Sequence, residues 1–314
     1  MSKEENKKNI GLKVAALVAA SAAAAAAYFR VSYEVFKKTC IKGTTHFGTS
    51  DNGLIVRKSN SGWLSTIAHQ NLSITSDDGL LLHGTYIPSE NASNEWIVLV
   101  HGYDADSTQM LPLAKTYHAH GYQIVIPDLR CHGTSEGEVI SFGAKESDDL
   151  CGWMDLILQM DPNAKIILHG ISMGASTSLL ASSKVMHTAL KGVISDCGYT
   201  SYQDVLRHLT TKIYHIPGSV FVPGVSFWIK KIGHFTYQDC DCIQAICMKA
   251  VPTLFFHGAN DTFIPTEMVN RLANALQNAS IVEIVENAGH AQCMYDNKYM
   301  SKCLLFVQKQ MFNG

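Results

Sequence analysis

A five-residue motif between a strand pattern and a helix pattern constrains the fold of this chain more than any other feature. The apolar run Ile166–Leu168 precedes Gly170-Ile171-Ser172-Met173-Gly174, and the small residues after the motif can continue as a helix. A strand, a G-x-S-x-G turn and a helix form a nucleophile elbow, in which a strained turn exposes the serine hydroxyl above a sheet. Side chains at positions 170 and 174 would collide with the elements that the turn brings together. We therefore predict that Ser172 is a nucleophile at a helix N-terminus, whose N–H groups favour negative charge.

Two later loops offer the groups that would activate this serine. A serine hydroxyl is a weak nucleophile at neutral pH, so it needs a base, an acid that orients the base, and donors for the developing oxyanion. Asp261 follows the apolar strand pattern 253–256, and His290 follows the pattern 281–285. We predict that His290 takes the proton of Ser172 and that Asp261 orients the imidazole. Asp196, at the end of another predicted strand, is the alternative acid, but Asp261 lies immediately upstream of the histidine loop.

Further motifs occur in a fixed order along the chain. They are the strand and turn Ile97–Tyr103, the segment Asp128–Ser135, the elbow, and the aspartate and histidine loops. From about Leu72 to the C-terminus the chain resembles the α/β-hydrolase superfamily, and within it the bacterial serine aminopeptidase-like and monoacylglycerol lipase-like hydrolases. The resemblance implies an oxyanion hole made by the backbone N–H groups of Tyr103 and Met173. The second motif departs from the usual pattern, because Cys131 replaces a glycine and leaves the shape of that loop open.

Apolar runs that alternate with helix patterns predict an α/β fold. The chain is 46% hydrophobic and 17% charged, which suits one large globular domain. Its strand patterns are continuously apolar, as in a mostly parallel sheet with helices on both faces. The pattern of Leu72–Gly84 predicts two strands joined by an Asp-Gly turn, and these strands would form an antiparallel edge of the sheet.

The stretch between Asp196 and Val251 is too long for a simple connection in such a sheet. We expect a helical cap at about residues 197–250, inserted before the strand that carries the acid. The stretch is rich in aromatic residues, and we expect Phe221, Phe227 and Trp228 to contribute to an apolar acyl pocket. Its cysteines at 240, 242 and 247 match no standard zinc spacing, so we expect no metal site.

The N-terminal segment has a different composition. Residues from Ile10 to Phe29 are nearly all apolar or small, and twenty helical residues span about 30 Å, the thickness of a bilayer core. We expect residues 1–30 to be a single-pass membrane anchor, residues 31–71 a linker that leads into the domain, and residues 72–314 the α/β-hydrolase domain. The run Ala22–Ala27 also resembles a signal-peptidase site, so a cleaved signal peptide of a secreted protein is one alternative. A soluble alanine-rich helix is another. Basic residues on both sides leave the orientation open.

Together these patterns predict a serine hydrolase that cleaves a carboxylic ester through an acyl-enzyme intermediate, with no cofactor. The same groups cleave peptides, amides and thioesters, and the fold also suits a non-catalytic α/β-hydrolase-like binding protein. The net charge of −2 and the lack of a basic stripe argue against nucleic acid as a partner. The expected partners are a small ester or acyl substrate and, through the N-terminal segment, a membrane. No sequence feature predicts the oligomeric state.

Overall fold

The computed structural model describes residues 3–44, 62–185, 187–215, 217–276 and 279–312. Within these residues an eight-stranded sheet has the order β1-β2-β4-β3-β5-β6-β7-β8. The strands are β1 Gln70–Thr75, β2 Leu81–Ile87, β3 Glu95–Val100, β4 Gln123–Pro127, β5 Lys165–Ile171, β6 Leu190–Asp196, β7 Thr253–Gly258 and β8 Ser280–Val285. The α-helices are α1 Lys3–Cys40, α2 Leu111–Ala119, α3 Glu146–Met160, α4 Met173–Lys184, α5 Tyr202–Tyr214, α6 Val222–Trp228, α7 Cys242–Met248, α8 Glu267–Leu276 and α9 Tyr299–Phe312.

The sheet is mostly parallel, as the sequence predicts. Strands β4, β3, β5, β6, β7 and β8 run parallel, whereas β1 and β2 form the predicted antiparallel edge. Both faces are covered, because Trp96 and Val98 pack in one hydrophobic core while Ile97 and Leu99 of the same strand pack in the other. Burial on both faces explains why the strands are continuously apolar in the sequence.

Local sequence sets the helix boundaries next to the sheet. Helix α3 begins with acidic residues in its first turn, including Asp148 and Asp149, which interact favourably with the helix dipole. It ends at Met160, just before Asp161-Pro162, because the residue before a proline disfavours helical backbone angles. The parallel strands then bring the loops after β3, β5, β6, β7 and β8 to the same edge of the sheet, where open α/β sheets carry their functional groups.

Helix α1 has two halves with different surroundings. Residues 11–27 are exposed, whereas Val35, Phe36 and Cys40 are buried in the core. The segment Lys7–Cys40 is long and apolar enough to cross a membrane, a property that a signal sequence shares. Residues 31–40 do not form the expected linker: they continue the helix, because apolar side chains such as Val35 and Phe36 pack into the hydrophobic core. Residues 45–61 of the expected linker lie outside the described residues.

Three helices, α5, α6 and α7, occupy the connection between β6 and β7, where the sequence suggests a cap. Val205, Leu206 and Leu209 of α5 face a cavity that also reaches Ser172. Helix α6 packs against α1, and a π-helical turn, Ile229–Gly233, follows it. Helix α7 packs against α4, the helix that begins at the elbow. The cap is therefore held against α1 through α6 and against α4 through α7.

Candidate active site

The turn between β5 and α4 has the geometry of a nucleophile elbow. Ser172 has φ 54° and ψ −115°, a left-handed backbone conformation that is strained for a residue with a side chain. The glycines on either side allow the close approach that this turn requires. A Cβ at Gly170 would lie 2.2 Å from the carbonyl oxygen of Gly174, and a Cβ at Gly174 would lie 2.2 Å from that of Val100. The neighbouring backbones therefore leave no space for larger residues at these two positions.

The structure brings the three residues predicted as a triad into one hydrogen-bonded chain. The Oγ atom of Ser172 lies 2.8 Å from Nε2 of His290, and Nδ1 of His290 lies 2.7 Å from Oδ2 of Asp261. The side chain of Asp261 is fully buried, while that of His290 is 23% exposed. A histidine that donates from Nδ1 to a carboxylate presents an unprotonated Nε2 to the serine, so this arrangement can accept the serine proton.

Several donors hold the Asp261 carboxylate in its ionised form. Burial raises the pKa of Asp261, but hydrogen bonds from His257 and His290 outweigh it and hold this pKa well below its ordinary range. The backbone N–H groups of Phe263 and Ile264 also donate to Oδ1 of Asp261, at 2.9 and 2.8 Å. Nε2 of His257 lies 3.4 Å from Oδ2 of Asp261 and 2.9 Å from the carbonyl oxygen of Ile264, which fixes the loop. An ionised, immobile carboxylate is the form that stabilises an imidazolium.

Asp196, the alternative acid, has a different environment. It lies at the end of β6 and is fully buried. The carboxylate to which His290 is hydrogen-bonded is that of Asp261. Among the described residues none donates a hydrogen bond of normal geometry to either carboxylate oxygen of Asp196. Burial raises the pKa of Asp196 to about 6, and the nearby Cys293 and Tyr299 offset this only in part. The hydrogen-bond geometry therefore favours Asp261 as the partner of His290.

The two backbone groups assigned to an oxyanion hole belong to Met173, which follows Ser172, and to Tyr103, which follows Gly102. Met173 is the first residue of α4, and the first N–H groups of a helix have no partner within the helix. Gly102 approaches the elbow so closely that a Cβ there would lie 3.5 Å from Cβ of Ser172. Gln109, which the sequence analysis did not single out, accepts a hydrogen bond from the N–H of Gly102 at 2.8 Å. It holds the turn that carries Tyr103 next to the nucleophile.

Two buried histidines shape the neighbouring loops. Nε2 of His101 accepts a hydrogen bond from the backbone N–H of Leu129, and Nε2 of His132 accepts one from the backbone N–H of Asp104. Burial lowers the pKa of His101 to about 4 and also lowers that of His132, so both rings are neutral near pH 7. Cys131 has φ 68°, so this cysteine adopts the left-handed conformation that glycine usually supplies. The departure from the usual motif thus leaves the turn intact.

An apolar cavity of about 270 Å³ opens beside Ser172. Its walls come from the β3 and β5 loops, the segment after β7, helix α5 and the end of α1. The lining residues are Val35, Lys38, Thr39, Thr44, Tyr103, Phe142, Ser172, Met173, Tyr199, Tyr202, Val205, Leu206, Leu209, Thr210, Phe263 and Ile264. The expectation for Phe221, Phe227 and Trp228 is wrong, because none of the three is among these lining residues. Phe227 and Trp228 pack against α1 instead. The wall formed by Val35, Lys38 and Thr39 of α1 carries no signal in the sequence that distinguishes it from the rest of the helix.

One group of side chains near the triad has the composition of a metal site. Ligand atoms of Cys197, Asp261 and His290 lie within 4.8 Å of one another. However, Asp261 and His290 are hydrogen-bonded to each other, and burial raises the pKa of the Cys197 thiol well above its ordinary value. A cysteine binds a metal ion as the thiolate, so an environment that raises the pKa of the thiol disfavours binding through Cys197. The arrangement suits proton transfer from Ser172 better than metal coordination.

Comparisons with known proteins agree with the fold. The family described as serine aminopeptidase, S33, matches residues 91–223, which include the elbow. The uncharacterised protein YqkD of Bacillus subtilis is 25% identical over 298 residues, which cover 93% of this chain and 94% of that protein. The uncharacterised protein YfhR of Salmonella typhimurium is 22% identical over 258 residues, covering 76% and 81%.

Solved structures show the same architecture. An esterase of Pyrococcus furiosus superposes with a TM-score of 0.66 at 19% identity, covering 87% of this chain and 98% of that one. An acylaminoacyl peptidase of Pyrococcus horikoshii superposes with a TM-score of 0.58 at 20% identity, covering 83% of this chain and 43% of that one. The sheet order, the elbow, the matched segment and these structural relatives lead to one conclusion. The chain has the α/β-hydrolase fold.

Proposed function

We propose that this protein is a serine hydrolase that cleaves carboxylic esters through an acyl-enzyme intermediate. The observation that carries the proposal is the hydrogen-bonded chain from Ser172 through His290 to Asp261 beside an apolar cavity. The order of these groups and the strained elbow agree with nucleophilic catalysis by serine. The esterase from Pyrococcus furiosus, which shares the fold, provides independent support for this class of reaction.

The geometry supports the following mechanism. Oγ of Ser172 attacks the ester carbonyl while Nε2 of His290 takes its proton, and Asp261 stabilises the resulting imidazolium. The N–H groups of Tyr103 and Met173 donate to the oxyanion of the tetrahedral intermediate. The carbon–oxygen bond to the alcohol then breaks, and His290 returns the proton to the leaving oxygen. A water molecule, deprotonated by His290, attacks the acyl-enzyme. The bond between the acyl carbon and Oγ of Ser172 then breaks, His290 returns the proton to Oγ, and the acid is released.

The cavity lining favours an ester with an apolar acyl group over an aminopeptidase substrate. An aminopeptidase binds a protonated α-amino group, which a carboxylate would stabilise. Among the described residues that line the cavity there is no aspartate or glutamate, and Lys38 contributes a positive charge. Phe142, Tyr202 and Leu206 are typical of the apolar surface offered to hydrocarbon. A peptidase remains the second candidate, because the acylaminoacyl peptidase of Pyrococcus horikoshii shares the fold.

We further propose that α1 anchors the enzyme in a membrane. The exposed apolar half of α1 ends at a cluster of aromatic side chains, where Phe29 contacts Phe227 at 5.3 Å and Tyr33 contacts Trp228 at 4.9 Å between ring centroids. Nζ of Lys231 lies 5.6 Å from the ring centroid of Phe227. Aromatic and basic side chains are enriched where a transmembrane helix leaves the bilayer. This composition therefore supports an anchor that ends at the level of the cluster.

Ester hydrolysis by the full-length protein in detergent tests the enzymatic proposal. We expect turnover of 4-nitrophenyl esters by the wild type and its loss in Ser172→Ala, with the unfolding temperature unchanged. The matched control is Ser182→Ala, because the hydroxyl of Ser182 is buried on α4 and donates within its own helix, to the carbonyl oxygen of Leu179. The control should keep wild-type activity. Equal activity of Ser172→Ala and the wild type would contradict the proposal, and hydrolysis of acyl-peptides alone would favour the second candidate.

A further inference from the structure

The end of α1 is built into the catalytic domain by its backbone. The carbonyl oxygen of Cys40 accepts a hydrogen bond from the N–H of Ile140 at 2.7 Å, and the N–H of Lys42 donates to Glu138 at 2.9 Å. These bonds pair the chain that leaves α1 with the loop after the segment Asp128–Ser135. The last carbonyl groups of a helix have no intrahelical partner, so this pairing also satisfies one of them. The helix end is therefore held in one position relative to the active-site loops.

Side chains fix the preceding turns of α1 against the cap helix α6. A Cβ at Gly224 would lie 2.0 Å from Oγ of Ser32, so the two helices cross at a glycine where their backbones approach closely. The hydroxyl of Tyr28 donates to the carbonyl oxygen of Val220 and accepts from the N–H of Gly224, each at 2.9 Å. Nε1 of Trp228 donates to the carbonyl oxygen of Phe29 at 3.1 Å. These hydrogen bonds fix the position of α1 relative to α6, which a flexible linker would not do.

The same turns line the cavity beside the nucleophile. Val35 and Thr39 are buried residues one turn apart on α1, and both contribute to the cavity wall together with Lys38. Residues four apart lie on one face of a helix, so this wall is a continuous face. Val31, one turn earlier on the same helix, is 48% exposed and lies outside the lining.

Thr39 also contacts the residue whose backbone is assigned to the oxyanion hole. The hydroxyl of Tyr103 donates to the carbonyl oxygen of Thr39 at 2.7 Å, and Oγ1 of Thr39 lies 2.8 Å from the hydroxyl of Tyr202. The rings of Tyr103, Phe142 and Tyr202 form a continuous stack, with centroid distances of 5.4 and 3.9 Å. The position of the Tyr103 side chain thus depends on α1.

We propose that Val35, Lys38 and Thr39, in the last turns of α1, are part of the acyl-binding site. In this account Val35 limits the size of the acyl group, and Thr39 is a positioning residue for Tyr103. The inference rests on the proposed ester hydrolysis and adds a specificity determinant to it. It also assigns two roles to a single helix, whose exposed half anchors the protein while its buried half selects the substrate.

Acyl-chain selectivity tests the role of Val35. We would compare kcat/KM for 4-nitrophenyl acetate and octanoate in the full-length protein in detergent. Each buried methylene is worth about 0.8 kcal/mol, or about fourfold, so a side chain that displaces two methylenes lowers the octanoate-to-acetate ratio about 15-fold. We expect this decrease in Val35→Phe and an increased ratio in Val35→Ala. The matched control Val31→Phe adds the same side chain one turn away and should leave the ratio within about twofold of the wild type.

The result that would overturn this role is an equal loss for both esters in Val35→Phe, with no change of ratio in Val35→Ala. Short- and long-chain alkyl fluorophosphonates provide a second measurement that needs no turnover, because their rates of reaction with Ser172 depend on the same cavity. A ratio of these rates that is unchanged by both substitutions would overturn the inference alone. A Ser172 that reacts with neither reagent in the wild type would overturn the proposed function and the inference together.

Removal of one hydroxyl group tests the positioning role of Thr39. We expect Tyr103→Phe, which cannot donate to Thr39, to lower kcat about tenfold with KM within twofold, because the oxyanion donor is displaced while the acyl wall remains. Tyr237→Phe is the matched control, since that hydroxyl is also buried and donates to a backbone carbonyl, of Val222. The control should leave both constants unchanged. Equal values of kcat in Tyr103→Phe and the wild type would exclude the positioning role.

Discussion

At the scale of single residues, Ser172, Asp261 and His290 could be identified from the sequence because each follows a short apolar strand. Parallel strands bring such loops to one edge, so local patterns were sufficient to predict that the three side chains meet. The support around them could not be predicted in this way. His257 stabilises the ionised form of Asp261, and Gln109 fixes the turn before Tyr103. Both contacts depend on how loops fold back on one another, which no local pattern encodes.

Replacement of the two candidate acids distinguishes their roles. We expect Asp261→Asn to lower kcat for ester hydrolysis by up to about 10⁴-fold, because an amide favours the wrong tautomer of His290. Asp196→Asn should have a small effect on kcat, since the carboxylate to which His290 is hydrogen-bonded is that of Asp261. Steady-state kinetics with one nitrophenyl ester would compare the two variants. The reverse order of the two losses would assign the acid to the end of β6.

At the scale of secondary-structure elements, continuous apolar runs predicted the strands well, because burial on both faces leaves a strong signal in the sequence. The cap was predicted less accurately. An aromatic-rich composition indicates burial, but it does not indicate which surface a side chain covers, so Trp228 was assigned to the acyl pocket although it packs against α1. The last turns of α1 were assigned to a linker for a related reason. The burial of their apolar residues can be explained only once the positions of α6 and the cavity are known.

The crossing of α1 and α6 can be tested at Gly224. A Cβ there would overlap Ser32, so we expect Gly224→Ala to lower the free energy of unfolding by about 1–3 kcal/mol. Gly11→Ala is the matched control on the exposed half of α1, where nothing lies within 4 Å of the added Cβ. It should be neutral or slightly stabilising, because alanine has the higher helix propensity. Urea unfolding in detergent measures both, and equal stability of the two variants would contradict the close crossing.

At the scale of the whole molecule, the fold class and the mostly parallel sheet follow from patterns of apolar residues, whereas the relation between the N-terminal segment and the domain does not. Composition identified a helix long enough to span a bilayer, and the structure shows that the same helix continues into the core. Residue 30 lies inside one continuous helix, so the boundary between the N-terminal segment and the domain does not fall there. The boundary that the contacts suggest lies near residue 27, where the exposed half of α1 ends.

Two truncations test this boundary. Deletion of residues 1–27 should release a soluble, active domain, because it removes only the exposed half of α1. Deletion of residues 1–44 should abolish activity and lower the unfolding temperature, because it also removes Val35, Phe36 and Thr39. The full-length protein should sediment with membranes and resist carbonate extraction, as a spanning helix does. A full-length protein that stays soluble without detergent would contradict the anchor.

The stability of the whole domain should depend on pH through a histidine buried in β5. His169 is hydrogen-bonded to the hydroxyls of Tyr117 and Tyr299, and burial lowers its pKa to about 3. The unfolded chain binds a proton at His169 below about pH 6.5, whereas the folded chain does not, so this contribution to stability is lost as the pH falls from 6.5 towards 3.

The comparison of the wild type with His169→Gln isolates this contribution. Between pH 7 and pH 4 the wild type should lose about 3 kcal/mol more of its unfolding free energy than the variant does. Urea unfolding at a series of pH values provides the measurement, and the other titrating groups cancel in the difference. Parallel curves for the two proteins would contradict the assignment of a neutral, buried His169.

Covalent labelling of the nucleophile tests the central claim most directly. We would treat the full-length protein in detergent with a fluorophosphonate, measure its intact mass, and map the modified peptide while following ester hydrolysis. The account predicts one adduct per chain, located on Ser172, with activity lost in proportion to labelling and no adduct in Ser172→Ala. An adduct on another residue, or full ester hydrolysis by the Ser172→Ala protein, would contradict it.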